Sequence, residues 1–212
     1  MPAMVGTVTL IVDPRAVDPA AIAQAAACLR DDGVVAFPTE TVYGLGARAD
    51  HPAAVARLVA VKGRPPEKPF AVLVADADAA RLLADISSPS ARRLVQCFWP
   101  GPLTLIAPSR AGGTTTGGGT IGLRCPDHPI AQALVRAAGV PIAAPSANRS
   151  GTAESRTAAG VLAVLDGAID LVLDGGPAHA GQPSTVVDVT GTSWRVVRAG
   201  ALSVDAIAAA LA

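Results

Sequence analysis

Residues 34–46 read VVAFPTETVYGLG, an apolar run followed by a polar, glycine-rich turn. The run Val34–Phe37 predicts a buried strand, and we interpret residues 38–46 as the loop that follows it. Loops at the carboxyl ends of strands are where α/β sheets bind ligands. Thr39, Glu40 and Thr41 in such a turn are suited to a small polar metabolite, so this stretch predicts both a strand and one wall of a site.

Strand and helix signals alternate on both sides of this stretch. Capping residues followed by proline predict helix starts at Asp18-Pro19, at Asp50 with Pro52, and at Ser88-Pro89. Further helices are expected after Asp76, at Pro129 and after Ser203. Strands are expected at 8–12, 70–74, 103–107, 120–124, 142–144, 171–173, 185–189 and 195–198. Because some strands follow helices and others follow strands directly, we expect an α/β fold with a mixed sheet.

The composition limits the class of protein. The 212 residues fit a single domain, 1–212, and half of them are hydrophobic, which excludes a disordered chain. Seventeen basic and 17 acidic residues balance, and only 3% are aromatic, so neither a globally basic nucleic-acid binder nor an aromatic single-strand platform is expected. From Arg48 to Arg136, eleven basic residues accompany six acidic ones, which indicates either one polyanion site or chance scatter.

Cysteine and histidine usage predicts no disulfide frame and no metal site. The three cysteines lack a Cys-x-x-Cys pair, which favours reduced thiols and a cytoplasmic location. The three histidines show no metal-ligand spacing, so we expect no metal held by protein side chains. Neither a signal peptide nor an uncharged apolar segment of membrane-spanning length is present, and no membrane association is expected.

The strongest candidate for chemistry is the basic loop at residues 62–69, KGRPPEKP. It places Lys62, Arg64 and Lys68 within seven residues, while its prolines and glycine oppose a helix. Arginine offers a planar fork and lysine a point charge, a combination suited to a triphosphate. The alternative is a solvated basic loop. Polar residues near other predicted strand ends favour a cleft that binds anions and hydroxyls: Arg124, Ser146, Asn148, Ser184 and Arg198.

One low-complexity segment, residues 112–120 (GGTTTGGGT), is either a plain surface loop or a lid near a ligand.

Seven motifs follow one another along the chain: FPTETVYGLGA, KGRPPEKPF, FWPGPLT, TIGLRCPDHPI, PIAAPSAN, STVVDV and Arg198-Ala199-Gly200. In this order and spacing, over about residues 34–200, the chain resembles the YrdC-like family of threonylcarbamoyl-AMP synthases. The resemblance implies an α/β fold with a twisted mixed sheet flanked by helices and a concave basic cleft. It implies that L-threonine, bicarbonate and ATP, with Mg²⁺ carried by ATP, give threonylcarbamoyl-adenylate and pyrophosphate. The product would feed N6-threonylcarbamoyladenosine modification of tRNA by downstream threonylcarbamoyl-transferase complex proteins; direct tRNA contact stays open.

The same resemblance implies residue roles. Catalytic cations would be Lys62, Arg64 and Lys68. ATP would contact Arg64, Lys68, Thr120, Ser146, Asn148 and Arg198. L-Threonine would contact Thr41, Arg124, the backbone of Ala144, and Ser184. The chain departs from the family pattern at Glu154, where a serine is usual and Ser155 is the neighbouring candidate, and at Leu73, where some members have histidine.

Two other functions stay open at this stage. One is a non-catalytic module that binds double-stranded RNA or tRNA in the basic cleft. The other is a carbamoyl transferase that passes through a carbamoyl-adenylate, although the zinc-finger and acylphosphatase-like regions expected of such enzymes are missing here. Pyrophosphate release that requires both threonine and bicarbonate separates the synthase from both alternatives.

Overall fold

The computed structural model describes residues 6–65, 68–110 and 119–212. Its strands are β1 (Val8–Ile11), β2 (Val35–Phe37), β3 (Gly44–Arg48), β4 (Val72–Leu73), β5 (Leu103–Pro108), β6 (Thr120–Arg124), β7 (Ile142–Ala143), β8 (Leu171–Asp174), β9 (Thr185–Asp188) and β10 (Arg195–Arg198). Its helices are α1 (Pro19–Arg30), α2 (Pro52–Lys62), α3 (Ala77–Leu83), α4 (Pro89–Phe98), α5 (Pro129–Ala138), α6 (Ala158–Leu165) and α7 (Val204–Leu211). Most of the low-complexity segment, residues 112–118, lies outside the described residues.

The described strands form one sheet in the order β1-β8-β2-β3-β7-β4-β6-β5-β9-β10. The pairs β1–β8, β2–β8, β4–β6 and β5–β9 are parallel, and the other neighbours are antiparallel. The expected mixed α/β sheet flanked by helices is therefore confirmed.

Helix starts follow the predicted capping pattern with one exception. The Asp18 side chain accepts a hydrogen bond from Ala20 N at 2.9 Å, and Ser88 Oγ accepts one from Ala91 N at 3.2 Å. The prediction that Asp50 caps α2 is wrong, because the capping position is His51, which makes no side-chain cap. Asp50 instead pairs with Arg48 at 2.7 Å.

Two elements were not predicted. We interpreted residues 38–46 as one loop, but Gly44 already begins β3, which pairs antiparallel with β2. A Cβ atom at Gly46 would lie only 2.9 Å from Phe37 Cε1, so the close packing of these two strands requires a glycine there. Helix α6 is the second omission, and its eight residues carry no charge.

Apolar residues pack on both faces of the sheet, but unevenly. On one face a large cluster joins the sheet to α2, α3, α4, α6 and α7. On the other face a smaller cluster joins α1 and α5 to β2, β4, β7 and β8, and no residue of β5, β6 or β9 belongs to it in the described chain. The second face therefore stays open over β5, β6 and β9.

Candidate active site

A cavity of about 380 Å³ occupies this open part of the sheet. Side chains alternate across a strand, so every second residue of these strands faces the cavity while its neighbours enter the core. The cavity-facing residues are Thr104 and Ile106 of β5, Thr120, Gly122 and Arg124 of β6, and Ser184 with Val186 at β9. The rest of the wall comes from the 37–44 turn, the basic loop and the residues that follow it up to Leu73, the 144–146 turn, Pro183 and β10.

Most of the predicted site residues meet in this one cavity. Those that line it are Lys62, Arg64, Lys68, Thr120, Arg124, Ala144, Ser146, Ser184 and Arg198. Thr41 and Asn148 lie behind the wall and are 0% and 4% exposed. Each contacts a residue that does line the cavity: Thr41 contacts Arg124, and Asn148 contacts Lys62.

Lys62, at the start of the basic loop, forms hydrogen bonds with the 144–148 turn. Gly63, in the left-handed conformation at φ 59°, ends α2 directly after it. Lys62 Nζ donates to Ser146 O at 2.7 Å and to Asn148 Oδ1, and Ser146 Oγ donates to Asn148 Oδ1 at 2.7 Å. Burial and the charge of Arg64 lower the pKa of Lys62 to about 8. The ammonium is thus buried among neutral oxygens at one wall of the cavity.

Arg64 presents a partly satisfied guanidinium to the cavity. Its Nη2 donates to Pro69 O at 3.2 Å, and its plane lies over the Phe70 ring, 5.1 Å from the ring centre. Burial lowers the pKa of Arg64. Its buried Nε has no hydrogen-bond partner among the residues that the structure describes. Lys68 is exposed beside it, so this end of the cavity is suited to an anion.

Arg124 marks a second anion-binding position at the end of β6. Its Nη2 donates to Glu40 Oε1 at 2.8 Å and to Thr41 Oγ1 at 2.7 Å. Its Nε is buried and, within the described ranges, unpartnered. The ion pair with Glu40 was not predicted, since 84 residues separate the two side chains along the chain.

A pair of hydroxyl groups lies on the same face. Ser184 Oγ and Thr104 Oγ1 are 2.8 Å apart, and both residues are buried. Arg198 Nη2 donates to Ser184 O at 2.7 Å and contacts Ser184 Oγ at 3.3 Å. Thr104 was not among the predicted site residues, although the alternation in LTLIAP places it on the face opposite Leu103 and Leu105.

The two departures from the family pattern have different positions. Leu73 ends β4 and lines the cavity as an apolar side chain. Ser155 is buried, and its carbonyl accepts from Tyr43 N at 2.9 Å. Glu154 is exposed, and neither residue is among those that line the cavity.

Within the described ranges, no three His, Cys, Asp or Glu side chains are grouped as metal ligands. None of the helices that the structure describes has the length and apolar character needed to cross a bilayer. The cavity combines the cations Lys62, Arg64, Lys68 and Arg198 with hydroxyl groups and the Arg124–Glu40 ion pair.

Comparisons with known proteins agree with this geometry. The family model Sua5_yciO_yrdC, described as telomere recombination, matches residues 27–200. Threonylcarbamoyl-AMP synthase of Bacillus subtilis is 44% identical over 194 residues, covering 90% of this chain and 56% of that protein. The crystal structure of Pyrococcus abyssi Sua5 complexed with L-threonine superposes with a TM-score of 0.92 at 38% identity, over 97% of this chain and 61% of that one.

A third similar structure, E. coli YciO, has a TM-score of 0.86 at 26% identity, and the match covers 95% of this chain and 99% of that one. The chain thus spans little more than half the length of the B. subtilis and P. abyssi proteins. The family model, over residues 27–200, includes every strand that lines the cavity.

Proposed function

The chain belongs to the Sua5/YciO/YrdC family, and from that premise we propose that it is a threonylcarbamoyl-AMP synthase. It would condense L-threonine, bicarbonate and ATP into threonylcarbamoyl-adenylate and pyrophosphate. One observation carries the proposal: a single cavity holds two arginines, Arg64 and Arg124, whose buried Nε atoms lack a partner in the described chain. Arginine is the side chain best suited to carboxylate and phosphate groups, so two arginines in one cavity indicate two anionic ligand groups.

The ATP end of the cavity is the basic loop. Arg64 and Lys68 would bind the phosphates, and Lys62 would add its charge while holding the 144–148 turn in place. Ser146, Thr120 and Arg198 line the same cavity and would contact the nucleotide. Asn148 would act through Lys62 and Ser146, since it contacts both from behind the wall.

The threonine end is built around Arg124. Its guanidinium would bind the substrate carboxylate, and the backbone of Ala144 would contact the same substrate. Ser184 and its neighbour Thr104 would bind the side-chain hydroxyl. Thr41, which is fully buried against Arg124, would support that arginine from behind. The L-threonine named in the P. abyssi complex supports an amino-acid substrate here.

The reaction needs no covalent nucleophile from the protein. The neutral amine of threonine adds to the carbon of bicarbonate and gives up one proton, and one oxygen of bicarbonate leaves as water, which yields a carbamate. One carbamate oxygen then attacks the α-phosphorus. The bond from the α-phosphorus to the bridging oxygen breaks, and pyrophosphate leaves. Positioning of the reactants and cations beside the phosphates supply most of the catalysis in such transfers. Mg²⁺ would travel with the phosphates of ATP.

The product is a mixed anhydride, which is an activated acyl donor. We propose that it serves N6-threonylcarbamoyladenosine formation on tRNA, through a downstream threonylcarbamoyl transferase and its partner proteins. A direct contact of this chain with tRNA belongs to the same proposal, as does a cytoplasmic location, where tRNA is modified.

The test is pyrophosphate release by the purified chain with ATP, L-threonine, bicarbonate and Mg²⁺. Release should require all three substrates and fall to background when any one is omitted. Release that is independent of threonine but dependent on carbamoyl phosphate would favour the carbamoyl transferase. No release, together with tight and salt-sensitive tRNA binding, would favour the binding module.

A further inference from the structure

We propose that Glu40 is a positioning residue for substrate recognition: it fixes Arg124 as the carboxylate receptor of the cavity without touching the substrate itself. This inference rests on the proposed function for its substrate, an amino acid. Glu40 is not among the residues that line the cavity, whereas Arg124 is. The effect of Glu40 on substrate binding therefore has to pass through the guanidinium that it holds.

Both carboxylate oxygens of Glu40 are used. Oε1 accepts from Arg124 Nη2 at 2.8 Å, and Oε2 accepts from the backbone N–H of Asp127 at 3.1 Å. Asp127 lies three residues beyond Arg124 on the connection from β6 to α5. Glu40 thus binds the end of β6 through two hydrogen bonds, one from the side chain of Arg124 and one from the backbone of the residues that follow. The side chains of Arg124 and Glu40 are only 11% and 18% exposed, so water screens their attraction weakly.

The hydrogen bonds of the two hydroxyl groups beside Glu40, those of Thr39 and Thr41, have a defined direction of donation. Thr39 Oγ1 has a single proton, which it donates to Val42 O at 2.7 Å. The contact of 2.8 Å between the hydroxyls of Thr39 and Thr41 therefore requires Thr41 to be the donor. Having spent its proton, Thr41 Oγ1 can only accept, and it accepts from Arg124 Nη2 at 2.7 Å.

This proton count assigns the same kind of task to Thr41 and Glu40. Both accept from Arg124 Nη2, which fixes the orientation of the guanidinium plane. Neither of them takes up Nε, which stays unpartnered within the described residues. Both bonds have an ionised donor, but Glu40 also brings an opposite charge to a pair whose side chains are only 11% and 18% exposed, so it is the stronger partner.

The turn that carries Glu40 is itself fixed. The backbone carbonyls of Glu40 and Thr41 accept from Ala180 N at 3.0 Å and Gly181 N at 2.9 Å. Thr39 Oγ1 accepts from Thr41 N at 3.2 Å and Val42 N at 3.3 Å inside the turn. Glu40 therefore has a rigid base, as a residue that positions another side chain requires.

The test compares Glu40→Gln with wild type in the full chain. Glutamine has the same size, but its side chain has only one acceptor oxygen. Its NH2 group would therefore face a second donor, either Arg124 Nη2 or the backbone N–H of Asp127. We expect the KM for threonine to rise about tenfold, while kcat at saturating threonine and the KM for ATP change less than threefold. Asp50→Asn is the matched control: it removes the carboxylate partner of Arg48 outside the cavity, and should leave all three values unchanged.

A second variant covers the case in which Glu40→Gln does not fold. Glu40→Asp keeps the charge but is one methylene shorter, so it cannot reach Arg124 and the Asp127 N–H together. It should show the same selective rise in the KM for threonine. An unchanged KM in a folded variant would overturn the proposal, and so would a lower KM, which would mean that Glu40 competes with the substrate for Arg124.

Calorimetric titration of threonine without ATP separates this inference from the proposed function. If wild type releases no pyrophosphate, the synthase assignment fails, yet a tenfold weaker Kd for threonine in Glu40→Gln would still support the role of Glu40. If wild type turns over and the two Kd values agree, the role of Glu40 fails alone. No measurable threonine binding to wild type would overturn both.

Discussion

At the scale of single residues, the burial of Lys62 has a consequence that pH can reveal. Its pKa is about 8 in the folded chain, against 10.5 for a free lysine. Between these values the unfolded chain binds more protons than the folded one, so the free energy of unfolding increases with pH. Below pH 8 both states are protonated, and the full cost of the buried charge is present.

We therefore expect wild type to gain stability relative to Lys62→Met as the pH rises from 8 to 10.5, by up to about 3 kcal/mol. Urea unfolding of both proteins across this range measures the difference. All other titratable groups are the same in the two proteins and cancel in the comparison. A difference that stays constant with pH would contradict the lowered pKa.

The unpartnered Nε of Arg64 leads to a prediction about ATP. Arg64→Ala removes a charge-assisted contact worth roughly 1.5–3 kcal/mol, so kcat/KM for ATP should fall about tenfold to a hundredfold. The fold should survive, because the loss of stacking on Phe70 costs about 1–2 kcal/mol for a partly buried pair. Initial rates at low and saturating ATP provide the measurement. Arg48→Ala, whose side chain does not line the cavity, should match wild type.

The hydroxyl pair of Ser184 and Thr104 leads to a prediction about amino-acid selectivity. A substrate without a hydroxyl leaves this buried pair without its third partner, at about 1–3 kcal/mol, whereas a missing methyl costs about 1 kcal/mol. 2-Aminobutyrate should therefore be a worse substrate than serine, and both should be worse than threonine. Ser184→Ala should reduce the difference between the reaction rates with threonine and with 2-aminobutyrate. Equal rates for 2-aminobutyrate and serine would mean that the pocket selects by shape alone.

At the scale of secondary structure, the pairing of β2 with β3 depends on Gly46. A methyl group there would lie 2.9 Å from Phe37 Cε1 and 3.0 Å from Ile142 Cγ2. Overpacking of this kind costs about 1–3 kcal/mol, so Gly46→Ala should lower the free energy of unfolding by that amount in urea titrations. Gly191→Ala, in the exposed turn between β9 and β10, should change it by less than about 0.5 kcal/mol.

The same strand shows where sequence reasoning failed. Strands rich in Val, Ile and Leu, such as β5 and β8, were predicted within a residue or two because composition and periodicity agree there. Glycine is depleted in strands, so residues 44–46 were interpreted as the end of the 38–46 loop, whereas β3 forms by antiparallel pairing with β2 and β7. Helix α6 was missed because its residues are apolar on all sides. The alternation of polar and apolar residues that marks a helix in the sequence is therefore absent.

The site was predictable in its residue types but not in its connections. Motif order and polar residues near strand ends identified nine residues that line the cavity. The pairing of Glu40 with Arg124 could not be predicted, because it depends on how β2 and β6 are placed in a sheet that separates them by three strands. Thr104 could have been found, since it alternates with buried leucines in β5.

At the scale of the whole molecule, the cavity joins distant parts of the sheet, from β2 to β10. Ligands bound there should therefore stabilise the entire fold. At a hundredfold excess over its Kd, each ligand should add about 2.7 kcal/mol to the free energy of unfolding. In thermal unfolding, Arg64→Ala should lose the increment from ATP and keep the one from threonine. Loss of both increments would show that the two ligands do not bind independently.

The parallel pairing of β1 with β8 has a consequence for synthesis. Val8 pairs with Leu171, about 160 residues later in the chain. At the usual rates of translation, β1 emerges from the ribosome roughly 10–30 s before the strand that completes it. During that interval its backbone groups and the side chain of Ile11, which stays 86% exposed even in the finished fold, are open to other nascent chains. Each newly made copy must therefore keep its first strand out of aggregates until most of the polypeptide has been translated.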